Sequence, residues 1–181
     1  ISVEKLIWRS IYKESFTEND IFFHNDLWHC FEVHSELSHP DKTVFLENLN
    51  RIVEQSIYQI LKSTHIIITL GTAWVYRSIE SSEIVANCHK VPQKQFAKEL
   101  LSVEVIKRSL ENIIDLISKI NSDVRFIFTV SPVRHIKDGF VENHRSKAHL
   151  ITAMHETINY KQQTASYFPS YEIMMDELRD Y

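Results

Sequence analysis

His65-Ile66-Ile67-Ile68-Thr69-Leu70-Gly71-Thr72-Ala73-Trp74 is the stretch that decides the fold. It is an apolar run that stops at one of only two glycines in 181 residues. Val124-Arg125-Phe126-Ile127-Phe128-Thr129-Val130-Ser131-Pro132 repeats it in kind, again ending in small and polar residues. Such runs lack the in/out alternation of a half-exposed sheet. They read as buried parallel strands, apolar on both faces because helices cover the sheet on each side. Ligands of open α/β sheets bind outside the carboxyl ends of the strands. The loops Gly71-Thr72-Ala73-Trp74 and Ser131-Pro132-Val133-Arg134-His135 are therefore the first places to look for function.

Helical periodicity alternates with these runs. Val3, Leu6, Ile7 and Ile11 share one face of a helix closed by the polar stretch Thr17-Glu18-Asn19-Asp20. Leu46, Leu49, Val53, Ile57 and Ile60 form a longer stripe after the helix-start signal Pro40-Asp41. Trp74-Val75-Tyr76-Arg77 and Glu83-Ile84-Val85-Ala86-Asn87-Cys88 flank Ser81-Ser82 as a small β-hairpin. Val103, Ile106, Leu110, Ile113, Ile117 and Ile120 mark a helix ending at Asn121-Ser122-Asp123, and a further helix runs from about Asn143 to Asn159 with Ala148, Ile151 and Ile158 facing inward. The aromatic-rich segment from Ile21 to Phe31 reads as a packed surface helix. That accounts for the Asp-x-x-His match at Asp26-Leu27-Trp28-His29 without a catalytic role. The order predicts an α/β fold over residues 1–181 as a single domain: three layers, α/β/α, doubly wound around a mainly parallel sheet.

With 44% hydrophobic residues, 24% charged residues and a formal net charge of -4, the chain has an ordinary globular composition. The negative balance argues against nucleic acid or an anionic membrane as main partner. No segment approaches the ~20 consecutive apolar residues of a membrane span. Two cysteines, Cys30 and Cys88, give no disulfide framework, so a reducing, cytoplasmic setting is expected. Glycine this scarce predicts that Gly71 and Gly139 each meet a backbone demand that a Cβ would obstruct. Histidines 24, 29, 34 and 39 recur every five residues. On a helix such neighbours point roughly 140° apart and cannot converge on a metal. Cys30 and His34 with Cys88 and His89 could hold zinc, but no Cys-x-x-Cys anchor supports it and buried thiols are the better expectation. No metal or other cofactor is expected.

The loop after the second strand carries Arg134, His135, Lys137 and Asp138. Charge at a ligand crevice is either a solvated connection or a substrate contact, and Ser131, Arg134 and His135 are candidates for the second role. Trp74, Tyr76, Asn87 and His89 all lie on the hairpin above the other loop. Trp74 either caps the core or walls the crevice, and Asn87 can present its amide to an oxyanion. Ser131, Ser146 and Ser35 do not sit in a nucleophile-elbow pattern.

The segments Thr69 to Tyr76, Val85-Ala86-Asn87-Cys88-His89-Lys90-Val91-Pro92, Thr129 to His135 and Ser146-Lys147-Ala148 together resemble the GSCFA family of bacterial proteins. That family is similar to the SGNH (GDSL-like) hydrolases, three-layer α/β/α ester hydrolases and acyl-transfer enzymes. The resemblance implies serine-based acyl transfer on a small-molecule, glycan or lipid ester, such as an O-acylated carbohydrate. Gly71, Asn87 and His135 would serve catalysis, and Thr72, Trp74, Tyr76, His89, Ser131 and Arg134 would bind substrate. Three departures qualify it. The naming motif with its nucleophilic serine would lie upstream of Ile1. An Asp-x-x-His pair would follow Asp180-Tyr181, after a last strand that Tyr167 to Ile173 lead into or form. The SGNH block Gly-x-Asn reads Gly71-Thr72-Ala73, without its oxyanion asparagine. The alternative is a non-catalytic ligand-binding domain that keeps a degenerate crevice.

Overall fold

A computed structural model describes residues 1–178; Asp180 and Tyr181 lie outside the described residues. In chain order the elements are α1 (Ser2–Tyr12), β1 (Phe22–His24), β2 (Leu27–His29), α2 (Lys42–Lys62), β3 (His65–Leu70), β4 (Trp74–Ser78), β5 (Ile84–Val85), β6 (Phe96–Leu100), α3 (Val103–Ser118), β7 (Arg125–Val130), α4 (Phe140–Tyr160), β8 (Ala165–Tyr167) and the short α5 (Ser170–Glu172). The fold is α/β. By its contacts the chain divides into two compact units, Ile1–Lys62 with Val75–Glu99, and Ser63–Trp74 with Leu100–Tyr181. No helix among the described residues is long and apolar enough to cross a membrane.

The second unit is built on a parallel sheet of order β3-β7-β8. Ile66 lies beside Phe126, Ile68 beside Phe128 and Leu70 beside Val130, so both apolar runs end at one edge, as expected. Phe126, Phe128 and Val130 are fully buried on one face. Each such side chain contributes on the order of 1.5–3 kcal/mol by leaving water. α3 packs on α4, and α4 packs on β7 and β8. Ser102 caps α3 by accepting the Val105 N–H, and the helix buries Ile106, Leu110, Ile113 and Ile117 of the predicted stripe together with Ile114, while Val103 and Ile120 at its ends are half-buried.

Three expectations need correction here. β3 is not buried on both faces: it is the end strand of its sheet, and Ile67 stays 65% exposed while Ile68 on the opposite face is buried. The last strand among the described residues is β8, which ends at Tyr167; Ser170 begins a helical turn instead of continuing it. The inward face of α4 is Asn143, Ser146, Lys147, Leu150, Ala153, Met154 and Thr157, while Ala148 is exposed. Its first half is polar, which hides the stripe that periodicity seeks. Both glycines do answer a backbone demand. Gly139 begins α4 at φ 93°, a left-handed value that side chains resist, and a Cβ on Gly71 would stand 3.3 Å from His135 Nε2.

The first unit holds α1, α2, a hairpin of β1 and β2, and the sheet of order β5-β4-β6. Its core is Phe16, Ile21, Cys30, Phe45, Leu49 and Val53. Burial pushes the Cys30 thiol up to about 11, which makes it unreactive at neutral pH. Arg9 lies over the Phe16 ring and donates to Glu32 at 2.9 Å and to Asp20 at 2.8 Å. The surface helix expected over Ile21 to Phe31 is instead the β1/β2 hairpin, pairing Phe22 with His29 and His24 with Leu27. Asn25 and Asp26 form its two-residue turn at φ 48° and 61°, the left-handed pair that such turns require. The hairpin expected around Ser81-Ser82 is present, with Tyr76 paired to Val85 and Arg77 to Ile84.

Candidate functional site

The carboxyl ends of β3 and β7 release two loops side by side. The Ser131 N–H donates to the Leu70 carbonyl at 2.9 Å and extends the pairing by one step. Beyond that point the strands are joined through α4. Helical spacing sets Asn143, Ser146 and Lys147 on one face, and all three are 2% exposed. Ser146 Oγ accepts the Ala73 N–H at 2.7 Å and lies 3.0 Å from Thr72 Oγ1, which accepts the Trp74 N–H. Asn143 Oδ1 accepts the His135 N–H at 2.9 Å. Lys147 Nζ donates to the Gly71 carbonyl at 2.6 Å and to the Ser131 carbonyl at 2.7 Å, bridging the ends of the two strands. After β8, Ser170 Oγ donates to the Val130 carbonyl at 2.7 Å and ties a third segment to the same edge.

The electrostatics of this edge follow from burial. Lys147 pairs with no carboxylate among the described residues, and burial pushes its ammonium down to about 8. Its Nζ lies 5.8 Å from the centre of the Tyr171 ring. His135 is held below the ordinary histidine range, first by burial and then by the charge of Lys147. A neutral imidazole is therefore favoured above Gly71, able to accept a proton. Arg134 reaches back over the segment after β8, with Nη2 3.6 Å from Met175 Sδ.

Of the residues singled out in the sequence, Gly71, Thr72, Trp74, Ser131, Arg134 and His135 belong to the second unit, at this edge. Trp74 Nε1 donates to the Glu142 carbonyl at 3.3 Å, which seats its ring against the start of α4. Tyr76, Asn87 and His89 belong to the first unit. There Asn87 Oδ1 accepts the His89 N–H at 2.8 Å, a turn role for that oxygen. His89 is buried, its Nε2 donates to the Cys30 carbonyl at 2.7 Å, and it shares a cavity of about 320 Å³ with Asn87, Asn25 and His29. No group of three or more potential metal ligands gathers among the described residues.

Sequence reasoning missed Asn143 and Lys147, and weighed Ser146 only as a nucleophile. The available signal was the spacing Asn143, Ser146, Lys147 at i, i+3, i+4 on a helix that follows a parallel strand. The sequence model of the GSCFA family matches residues 1–181, the whole chain. This chain belongs to the GSCFA family. No curated protein and no solved structure matches it. In this GSCFA chain the segments Thr69 to Trp74, Thr129 to His135 and Ser146-Lys147 meet at one place, the Lys147 bridge between Gly71 and Ser131.

Proposed function

We propose that this chain is the body of an SGNH-type ester hydrolase or acyltransferase domain, a doubly wound three-layer α/β/α structure whose acyl-handling crevice is the carboxyl edge of β3 and β7. The observation that carries the reading is Gly71 beneath His135: the strand end is kept free of a Cβ, and an imidazole with a lowered proton affinity stands 3.3 Å from the vacant position. An ester carbonyl can approach a glycine backbone closely, and a neutral imidazole can take a proton from an attacking hydroxyl. Thr72, Trp74, Ser131 and Arg134 supply the wall. Ser146 is not the nucleophile in this reading, because its hydroxyl is buried and braces Ala73 and Thr72. In this reading the nucleophilic serine and the Asp-x-x-His pair of SGNH enzymes would have to be supplied by native flanking sequence.

A binding domain without turnover is the competing reading. Ala73 at the place of the oxyanion asparagine favours it, as does the engagement of Asn87 in its own turn. Hydrolysis of activated esters by residues 1–181 and by the protein with its native flanks separates the two. The acyl reading expects a background rate from residues 1–181 and a gain of many thousandfold with the flanks, the scale of a working triad. A folded, flanked protein that turns over no ester on a broad panel supports the binding domain.

A further inference from the structure

Two donors on α4 lack a full set of acceptors, and they stand one helical turn apart at the crevice. The orientation of the Asn143 carboxamide is fixed, because only its oxygen can accept the His135 N–H at 2.9 Å. Its Nδ2 therefore carries two protons, and it is buried without any partner among the described residues. Lys147 has three protons when charged, and two carbonyls take two of them. No carboxylate lies within ion-pair distance of its Nζ among the described residues, although buried ammonium groups are ordinarily paired. Of the nearby acids, Glu172 accepts the Tyr167 hydroxyl at 2.8 Å, and Glu142 Oε2 faces Arg145 at 3.6 Å without a hydrogen bond among the described residues.

We infer that Asn143 and Lys147 form a binding site for an anionic oxygen group, a carboxylate or a phosphate, at the carboxyl edge of β3 and β7. Such a group accepts from the Asn143 amide and supplies the countercharge that Lys147 lacks; a cation or an apolar ligand does neither. The inference rests on the acyl-transfer reading only for its consequence, that the substrate of this edge carries a negative charge beside its ester. Anion binding itself needs no turnover.

Titration of the protein with sodium acetate and with inorganic phosphate, each balanced with sodium chloride to constant ionic strength, tests the site by the side-chain amide signals of Asn143 and by the backbone amide signal of His135, the second of which also reads the variants. A saturable shift with acetate alone assigns the site to carboxylates, and with phosphate alone to phosphates. Either result supports the inference. Asn143→Asp keeps the shape but sets an acid in place of the donor, and should weaken binding at least about tenfold, the loss of one charge-assisted hydrogen bond. Lys147→Met should weaken it similarly if that variant folds; the wild-type titration stands without it. Non-saturating shifts with both anions, or equal binding by Asn143→Asp, overturn the site. Turnover of the neutral 4-nitrophenyl acetate by the protein with its native flanks keeps the two proposals apart. Saturable binding without turnover sinks the acyl reading alone, and turnover without saturable binding sinks this inference alone.

Discussion

Lys147→Met is the most informative single change to the fold of the site. In the folded protein the buried ammonium gives up its proton at about 8, against 10.5 for an ordinary lysine. Between those values the unfolded chain holds more protons than the folded one, so stability rises with pH across that window. At ~1.4 kcal/mol for each factor of ten, the whole rise amounts to about 3 kcal/mol. Methionine fills nearly the same space but titrates nothing and leaves the carbonyls of Gly71 and Ser131 without their donor, at roughly 1–3 kcal/mol apiece. Near neutral pH the loss is partly offset, because the variant no longer buries a charge. The stability of wild type over Lys147→Met should therefore grow by about 3 kcal/mol between pH 8 and pH 10.5. Urea unfolding of both proteins at stepped pH measures this, and the titration of all other groups cancels in the difference. A difference that stays constant or shrinks as the pH rises refutes the buried, unpaired lysine.

His89 is held neutral by burial, so its contribution to stability is intact above the ordinary histidine value of 6.5 and is lost as the pH falls through its lowered folded value. Melting temperature should drop on acidification in wild type and fall less steeply in His89→Gln, which calorimetry from pH 7.5 down to pH 5 checks. Gly139→Ala meets no neighbour within 4 Å but forces a side chain onto φ 93°. It should cost roughly 1–2 kcal/mol by denaturant titration, all of it backbone strain. Asn87→Ala removes the acceptor of the His89 N–H. It should lower stability by about 1 kcal/mol and leave the kcat of the folded fraction unchanged, whereas a hundredfold fall in kcat would restore Asn87 to the oxyanion.

The parallel core was legible because its signal is local and redundant. Ile66, Ile68, Phe126 and Phe128 announce strands by themselves, and Gly71 and Ser131 mark where both stop. The exposure of Ile67 was not legible, since whether a strand is central or terminal is set by distant pairing. The β1/β2 hairpin was missed because Phe22, Phe23, Leu27 and Trp28 were read as a helical cluster, while Asn25-Asp26 is a turn pair. Half of the site was legible, in the loops at the strand ends. The other half lies on α4, where Asn143, Ser146 and Lys147 point inward in place of apolar residues. Periodicity scores such residues as a solvated face. Only the carbonyls of Gly71 and Ser131, brought together by β3 and β7, explain why a lysine is buried there.

Ester hydrolysis by Gly71→Ala in the protein with its native flanks tests most directly the acyl chemistry proposed at Gly71. The added Cβ would stand 3.3 Å from His135 Nε2 and must displace the imidazole or the approaching carbonyl. With φ outside the left-handed region at Gly71, stability should change little. A fall in kcat of about a hundredfold, the scale of a lost transition-state contact, with unfolding free energy preserved is the expected result. Equal kcat in wild type and Gly71→Ala would contradict it and move the chemistry away from this edge.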